Sequence, residues 1–120
     1  MSRVMEKSDA SKIEVSRLRT VSKFIDESIG AEYFGVQTVE YEPGFSTTSV
    51  HYHEKRESAY IITEGEGSMM LKGERRELRL GMIVFLSPID RHGVVEAGPD
   101  GLKMVEVWAP LGQDRIDVDQ

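Results

Sequence analysis

The histidines are the residues whose types and spacing point most directly to chemistry. The chain has three, at positions 51, 53 and 92, and all lie in two short blocks of the sequence. Alternate side chains of an extended strand point to one face, so the imidazoles of His51 and His53 can reach the same point. Imidazole nitrogens are good ligands for transition metals. A single histidine is commonly a surface or core residue, but this arrangement predicts a metal site that also uses His92.

The absence of cysteine limits which ligands such a site can use. Disulfides and thiolate ligands are excluded, so a metal must be held by nitrogen and oxygen atoms. These ligand types suit iron, manganese, nickel, zinc and copper. The sequence therefore predicts one divalent transition metal from this group.

Length and charge set the class of protein. A chain of 120 residues is the size of one domain. With 15 basic and 21 acidic residues the net charge is −6, so a nucleic-acid partner, which requires a basic face, is not expected. The N-terminus has no apolar signal region, and the longest apolar run, Met82–Leu86, is too short to span a bilayer. We expect a cytoplasmic protein that does not act at a membrane.

Alternating apolar and polar residues, interrupted by turn residues, indicate β-structure throughout the middle of the chain. About nine short strands, with turn signals every 6–12 residues, predict an all-β sandwich or small barrel. We expect one domain over residues 12–110, a loose tail over residues 1–11 and a second tail over residues 111–120, of which 113–120 fray. The stretch 22–30 fits either a helical turn or a loop.

Both histidine blocks are similar to the two motifs of the cupin superfamily. The first motif spaces a glycine, His-x-His, a glutamate and a glycine, and the second spaces a glycine, a proline and a histidine. The matching residues are Gly44, His51, His53, Glu57, Gly65, Gly81, Pro88 and His92. The resemblance covers about residues 31–110. It implies a small antiparallel jelly-roll β-barrel with a metal inside its mouth.

The position of the family's carboxylate ligand leaves two alternatives open. Six residues separate the glutamate from the closing glycine in the family, and counting back from Gly65 leads to Ser58 instead of Glu57. On a regular strand Ser58 and Tyr60 face inward and three histidines hold the metal. With a bulge before Glu57 its carboxylate turns inward as a fourth ligand. We favour Glu57 slightly, and a third possibility is a weakened site that holds no metal.

Two further residues are candidates for substrate binding. Tyr60 adjoins the ligands on its strand, and its hydroxyl needs a partner when buried. Arg91 precedes His92 and could hold an anionic substrate, although a solvated charge on a hairpin explains it equally well. Phe85 is expected in the barrel core.

The resemblance leaves three functions open, because cupins include oxygenases, isomerases and binding modules. The first is a metal-dependent enzyme, of the oxygenase or isomerase type, acting on a small oxygenated metabolite. The alternative is a non-catalytic binding or sensory module for a sugar-like molecule. The third is a stable homodimeric barrel whose site has decayed. Single-domain relatives often pair through the N-terminal strand, so we expect a homodimer that uses residues 13–18.

Overall fold

The structure is a computed structural model that describes residues 1–118. Within these residues the chain forms nine β-strands and two short 3-10 turns, at Lys7–Asp9 and Glu27–Ile29. The strands are β1 (Ser11–Ser16), β2 (Arg19–Ile25), β3 (Gly35–Tyr41), β4 (Val50–His53), β5 (Glu57–Leu71), β6 (Glu74–Arg79), β7 (Ile83–Leu86), β8 (His92–Ala109) and β9 (Arg115–Val118). In this part of the chain no helix is long and apolar enough to cross a membrane.

All strand pairs are antiparallel, and two long strands hold the barrel together. One path of neighbouring strands runs β1-β2-β3-β8-β4-β9, and β5 joins it by pairing with β6, β7 and β8. The β5–β8 pairing changes register three times, which bends both strands and curls the sheet. The predicted all-β antiparallel barrel is confirmed.

Strands β5 and β8 are longer than the short strands that the turn signals predicted, because each continues through a glycine-containing stretch. Gly65 has a positive φ of 72° and lies within β5, at one of the register changes against β8. Gly67 is also within β5, where a side chain would overlap the carbonyl oxygen of Glu96. At both positions the backbones of β5 and β8 approach so closely that only glycine fits, and the strand continues through them. Glycine-rich sequence is common to turns and bulges, which explains the difference.

Both chain ends contain more structure than loose tails. Lys7–Asp9 forms a 3-10 turn within the predicted N-terminal tail, and β1 begins at Ser11. The expectation that residues 113–120 fray is wrong for Arg115–Val118, which form β9 and pair with all four residues of β4. Ile116 and Val118 alternate with charged residues, as a half-buried strand requires. The last two positions of the predicted C-terminal tail, 119 and 120, lie outside the described residues.

Apolar side chains fill one half of the barrel interior, which we call the core half. It consists of Val39, Ile62, Met69, Leu86 and Leu102, each at most 2% exposed. They come from β3, β5, β7 and β8 and form one cluster. Phe85, which was expected here, is 61% exposed because its neighbour Leu86 takes the inward position on β7.

Candidate metal centre

Strand pairing brings the three histidines together at the other half of the interior. His51 and His53 project from alternate positions of β4, and His51 pairs directly with His92 at the start of β8. The ring centroids are 4.4 Å apart for His51 and His92, 5.1 Å for His51 and His53, and 5.8 Å for His53 and His92. One nitrogen from each ring lies within 4.8 Å of the other two. The predicted three-histidine group is therefore present as a cluster that could hold a metal ion.

A carboxylate from the C-terminal segment orients His53. The Nδ1 atom of His53 lies 2.8 Å from Oδ1 of Asp114. The other oxygen of Asp114 accepts hydrogen bonds from the backbone N–H groups of Lys55 and Arg56. An ionised carboxylate can only accept, so Nδ1 of His53 carries the proton and Nε2 is left with its lone pair. A carboxylate behind a ligating histidine is the usual support of a metal ligand.

A backbone carbonyl orients His92 in the same way. Its Nδ1 lies 2.9 Å from the carbonyl oxygen of Asp90, which can only accept, so Nδ1 is the protonated nitrogen. Nε2 of His92 is buried, and no residue among 1–118 hydrogen-bonds to it. A buried acceptor without a partner is destabilising, and a metal ion beside it would remove that penalty. This orphaned nitrogen is the observation that best fits a bound metal.

Burial keeps the three imidazoles neutral. Desolvation, followed by the charges of His92 and Arg115, lowers the pKa of His51 from 6.5 to about 2. Burial also lowers the pKa of His53 and of His92, although their hydrogen bonds to Asp114 and Asp90 oppose the shift. Neutral imidazole is the form that binds a metal, so the ligands need no deprotonation at pH 7.

Glu57 does not reach the histidines. It is exposed, whereas Ser58 and Tyr60 are buried. The pairing of β5 with β8 runs without a register shift from Glu57 to Ile62, so no bulge turns the Glu57 side chain inward. Within residues 1–118 the cluster that could hold a metal therefore contains the three histidines without Glu57, the arrangement of the regular-strand alternative.

The two predicted substrate-binding residues have different positions. Tyr60 is 4% exposed, and its ring centroid lies 6.2 Å from that of His92. Arg91 is exposed and is not among the residues that line the histidine cavity. Its backbone carbonyl accepts a hydrogen bond from Lys72, which holds the hairpin. The structure thus brings Tyr60 to the site and leaves Arg91 outside it, where the solvated-charge explanation applies.

His51 and His53 line a cavity of about 760 Å³, the size of a small-molecule site. Polar and aromatic side chains surround it, and we call this region the cavity half. It consists of His51, His53, Arg19, Tyr60, Glu106 and Trp108, together with His92 behind them.

Glu106 is a site residue that the sequence analysis missed. It is 8% exposed, and Nε2 of Gln37 donates a hydrogen bond of 2.9 Å to its carboxylate. Burial raises its pKa, although the Gln37 hydrogen bond and the charge of Arg56 oppose this shift. Its position follows Leu102 and Met104 at alternate places on β8, so a glutamate in an apolar alternation was the available signal. Asp114 has no such signal, because it lies in the segment 111–120 that the sequence predicts to be a tail.

Comparisons with known proteins agree with this architecture. An uncharacterised protein of Methanocaldococcus jannaschii is 33% identical over 63 residues, or 52% of this chain, and the match spans only about half (50%) of that relative's length. The structure of the polyketide cyclase RemF from Streptomyces resistomycificus superposes with a TM-score of 0.77 at 27% identity, covering 99% of this chain and 85% of RemF. The nucleoside dehydratase Pac13, from Streptomyces, gives 0.80 at 13% identity, covering 99% and 92%.

The family comparison covers the strands that build both halves of the interior. The cupin domain family (Cupin_2) matches residues 37–108, which is more than half of the sequence. This stretch contains most of β3, all of β4 to β7, almost all of β8 and the three histidines. The chain belongs to the cupin domain family.

Proposed function

We propose that this protein is a small metal-dependent enzyme that acts on a small oxygenated metabolite. The observation that carries the proposal is the buried Nε2 of His92, which has no hydrogen-bond partner in residues 1–118 and lies beside two other neutral imidazoles. His51, His53 and His92 would hold one divalent transition metal, namely iron, manganese, nickel, zinc or copper. Three protein ligands are typical of catalytic sites, because they leave positions open for substrate.

A metal at this site would act as a Lewis acid that polarises a substrate oxygen. The protein supplies a group for proton transfer next to it. Glu106 shares the cavity with the histidines, and its pKa is raised by burial, which brings a carboxyl group closer to the pH at which it can both take and give a proton. Gln37 fixes the orientation of that carboxyl group. Tyr60 completes the wall and is proposed to contact the substrate.

The buried carboxyl group favours one reaction type over the other. An isomerase moves a proton between two substrate atoms and needs a protein group that holds it in between, which Glu106 can do. An oxygenase has no such requirement. RemF is described as a cyclase and Pac13 as a dehydratase, and both share this fold. We therefore place isomerisation or a related proton-transfer reaction ahead of oxygenation.

A non-catalytic binding or sensory module remains the second candidate. The cavity volume favours it, because a space of about 760 Å³ holds a sugar-sized molecule with or without a metal. The expected homodimer is also a proposal, supported by the edge strand β1, where Ile13 is 43% and Val15 52% exposed. A second copy that covers these side chains would remove them from water.

Metal analysis of protein purified without a His-tag or chelator tests the enzyme proposal. We expect close to one metal ion per chain by mass spectrometry. His92→Gln should lower the metal affinity by more than about 100-fold, because it removes a ligand, and Asp114→Asn by about 10–100-fold, because it removes the support of His53. Glu57→Gln is the matched control: its side chain is exposed, so its metal content should equal that of the unaltered protein.

Unaltered protein that contains no metal, and that fails to take up any of the five added metals, would contradict the enzyme proposal. The binding-module candidate would then be preferred. A loss of metal in Glu57→Gln would instead indicate that Glu57 is a fourth ligand.

A further inference from the structure

We propose that the substrate of this cavity is a small organic anion and that Arg19 binds its anionic oxygen group. The inference rests on the proposed function and adds to it the chemical class of the substrate. It starts from a contrast in charge. The chain as a whole carries −6, yet its cavity is lined by four cationic side chains and two acidic ones. The cationic ones are Arg19, Lys23, Arg56 and Arg115, and the acidic ones are Glu106 and Asp117.

Two of the arginines already have partners within the protein. Arg56 lies 3.6 Å from the carboxylate of Asp114 and donates a hydrogen bond of 2.8 Å to the carbonyl of Gly112. Nε of Arg115 lies 2.9 Å from Oδ1 of Asp117. Arg56 thus holds the C-terminal segment against the barrel, and Arg115 pairs within β9. The positive charge of each is offset by a carboxylate of the protein itself.

Arg19 differs from them. Within residues 1–118 no carboxylate lies close enough to form an ion pair with it, whereas Arg56 and Arg115 each lie beside an aspartate. The buried Nε of Arg19, like that of Arg56, has no hydrogen-bond partner. Its guanidinium lies 5.6 Å from the ring centroid of Tyr41, which holds it in place by a cation–π contact. A partly buried guanidinium without a counter-charge is poorly solvated, and an anionic oxygen group would offset that cost.

The charge of Arg19 acts on the same space as the metal ligands. Arg19, His51 and His53 line one cavity. A molecule of small-metabolite size can therefore place an oxygen at the metal and an anionic group at Arg19. Carboxylate and phosphate groups share this chemistry, and the planar guanidinium presents the paired donors that both accept.

Fluorescence of Trp108 offers a direct measurement, because it is the only tryptophan in the chain and it lines the cavity. Malonate, inorganic phosphate and the neutral malonamide are titrated at constant ionic strength, into metal-free and metal-loaded protein. We expect saturable fluorescence changes with malonate or phosphate in both forms, and at least tenfold weaker binding of malonamide. Whichever of the two anions binds tighter identifies the preferred group.

Three variants assign the effect to one residue. Arg19→Gln should weaken anion binding at least tenfold. Arg19→Lys keeps the positive charge but loses the paired N–H donors of the guanidinium, so it should weaken binding less. Arg17→Gln is the control, since Arg17 is exposed, lies outside the cavity lining and makes the same change in net charge. It should leave the affinity unchanged. Circular dichroism and thermal unfolding establish that each variant is folded.

Equal binding of malonamide and malonate would overturn the anion inference, as would equal losses in Arg17→Gln and Arg19→Gln. Metal-free protein separates this failure from failure of the proposed function. Metal uptake without anion preference would leave the enzyme proposal standing and remove Arg19 from it. Anion binding without metal uptake would support the role of Arg19 and contradict the proposal of a metal-dependent enzyme.

Discussion

Strands β5 and β8 each contribute to both halves of the barrel interior, and the two halves differ in chemistry. Ile62 on β5 and Leu102 on β8 belong to the core half, while Tyr60 and Glu106, a few residues away on the same strands, line the cavity. Tyr60 lies at the boundary, because it also packs in the apolar cluster. The backbone pairing is continuous through both. Side-chain chemistry, not a change of secondary structure, therefore separates the stabilising region from the candidate site.

This difference indicates where stability and function reside. Apolar burial favours folding by about 25 cal/mol for each Å² removed from water, so the core half contributes most to the free energy of unfolding. Buried polar groups such as Glu106 and the imidazoles contribute little or act against it. We therefore expect changes in the core half to alter stability, and changes in the cavity half to alter ligand binding with smaller effects on stability.

Adding one methyl group where β5 crosses β8 beside Leu102, and one beside the cavity, is the strongest test of the comparison. In Gly65→Ala the new Cβ would overlap the backbone carbonyl of Gly101, and the residue would have to keep a φ of 72°. Backbone strain and overpacking together predict a loss on the order of 4 kcal/mol in the free energy of unfolding. Chemical denaturation measures this loss. Failure of the variant to fold would agree with the prediction.

Gly35→Ala is the matched change in the cavity half. Its Cβ would overlap the ring of Trp108, a side chain that borders the cavity and can shift into it. We expect a smaller loss of about 1–3 kcal/mol, together with a changed fluorescence of Trp108. A larger loss in Gly35→Ala than in Gly65→Ala would contradict the division of the interior.

A pair of substitutions two residues apart on β5 tests the same division with a moderate effect. Ile62→Ala removes a side chain that is 2% exposed and should lower the free energy of unfolding by about 2–5 kcal/mol, with metal binding unchanged. Tyr60→Phe keeps the ring, so it should cost less than about 1.5 kcal/mol and instead weaken substrate binding. Denaturation measures the stability of both variants, metal titration their metal affinity, and titration of the Trp108 fluorescence with malonate or phosphate their ligand binding. Reduced metal content in folded Ile62→Ala would show that the two halves are not independent.

The comparison also explains how far the sequence alone could lead. His51 and His53 were identified because strand periodicity is a local property, and the second motif supplied His92. The face of Glu57 could not be determined, because it depends on the register between β5 and β8, which is set by residues far apart in the sequence.

The residues that the sequence analysis missed share a related cause. Asp114 matters only because β9 pairs with β4 and carries that carboxylate to His53. Arg19 stands out only when the partners of all the cavity arginines are known. Glu106 had a local signal, a carboxylate in an apolar alternation, but its hydrogen bond to Gln37 requires the pairing of β3 with β8. The periodicity of a sequence predicts which face of a strand a side chain is on. Its hydrogen-bond and ion-pair partners depend on which strands are neighbours in the fold.

The smallest predicted effect concerns the dependence of stability on pH. Burial raises the pKa of Glu106 in the folded protein above 4.5, so the folded state holds this proton more tightly than the unfolded state. The free energy of unfolding should therefore fall as the pH rises from about 4.5 through the raised pKa, by at most about 1.4 kcal/mol for each pH unit. Glu106→Gln removes this titration, because the amide has no proton to lose.

Glu106→Gln should therefore match the unaltered protein in stability at pH 4 and exceed it increasingly as the pH rises, until the folded-state pKa is passed. Gln37 can still donate its hydrogen bond to the new amide oxygen, so the packing is retained. Met104→Leu, two residues earlier on β8, is the control: it changes the shape of a buried side chain without changing charge, and its denaturation curves should shift by the same amount at every pH. Parallel curves for Glu106→Gln as well would mean that the Glu106 carboxyl group titrates alike in the folded and unfolded protein. The cavity half would then lack the buried acid that makes isomerisation the preferred reaction.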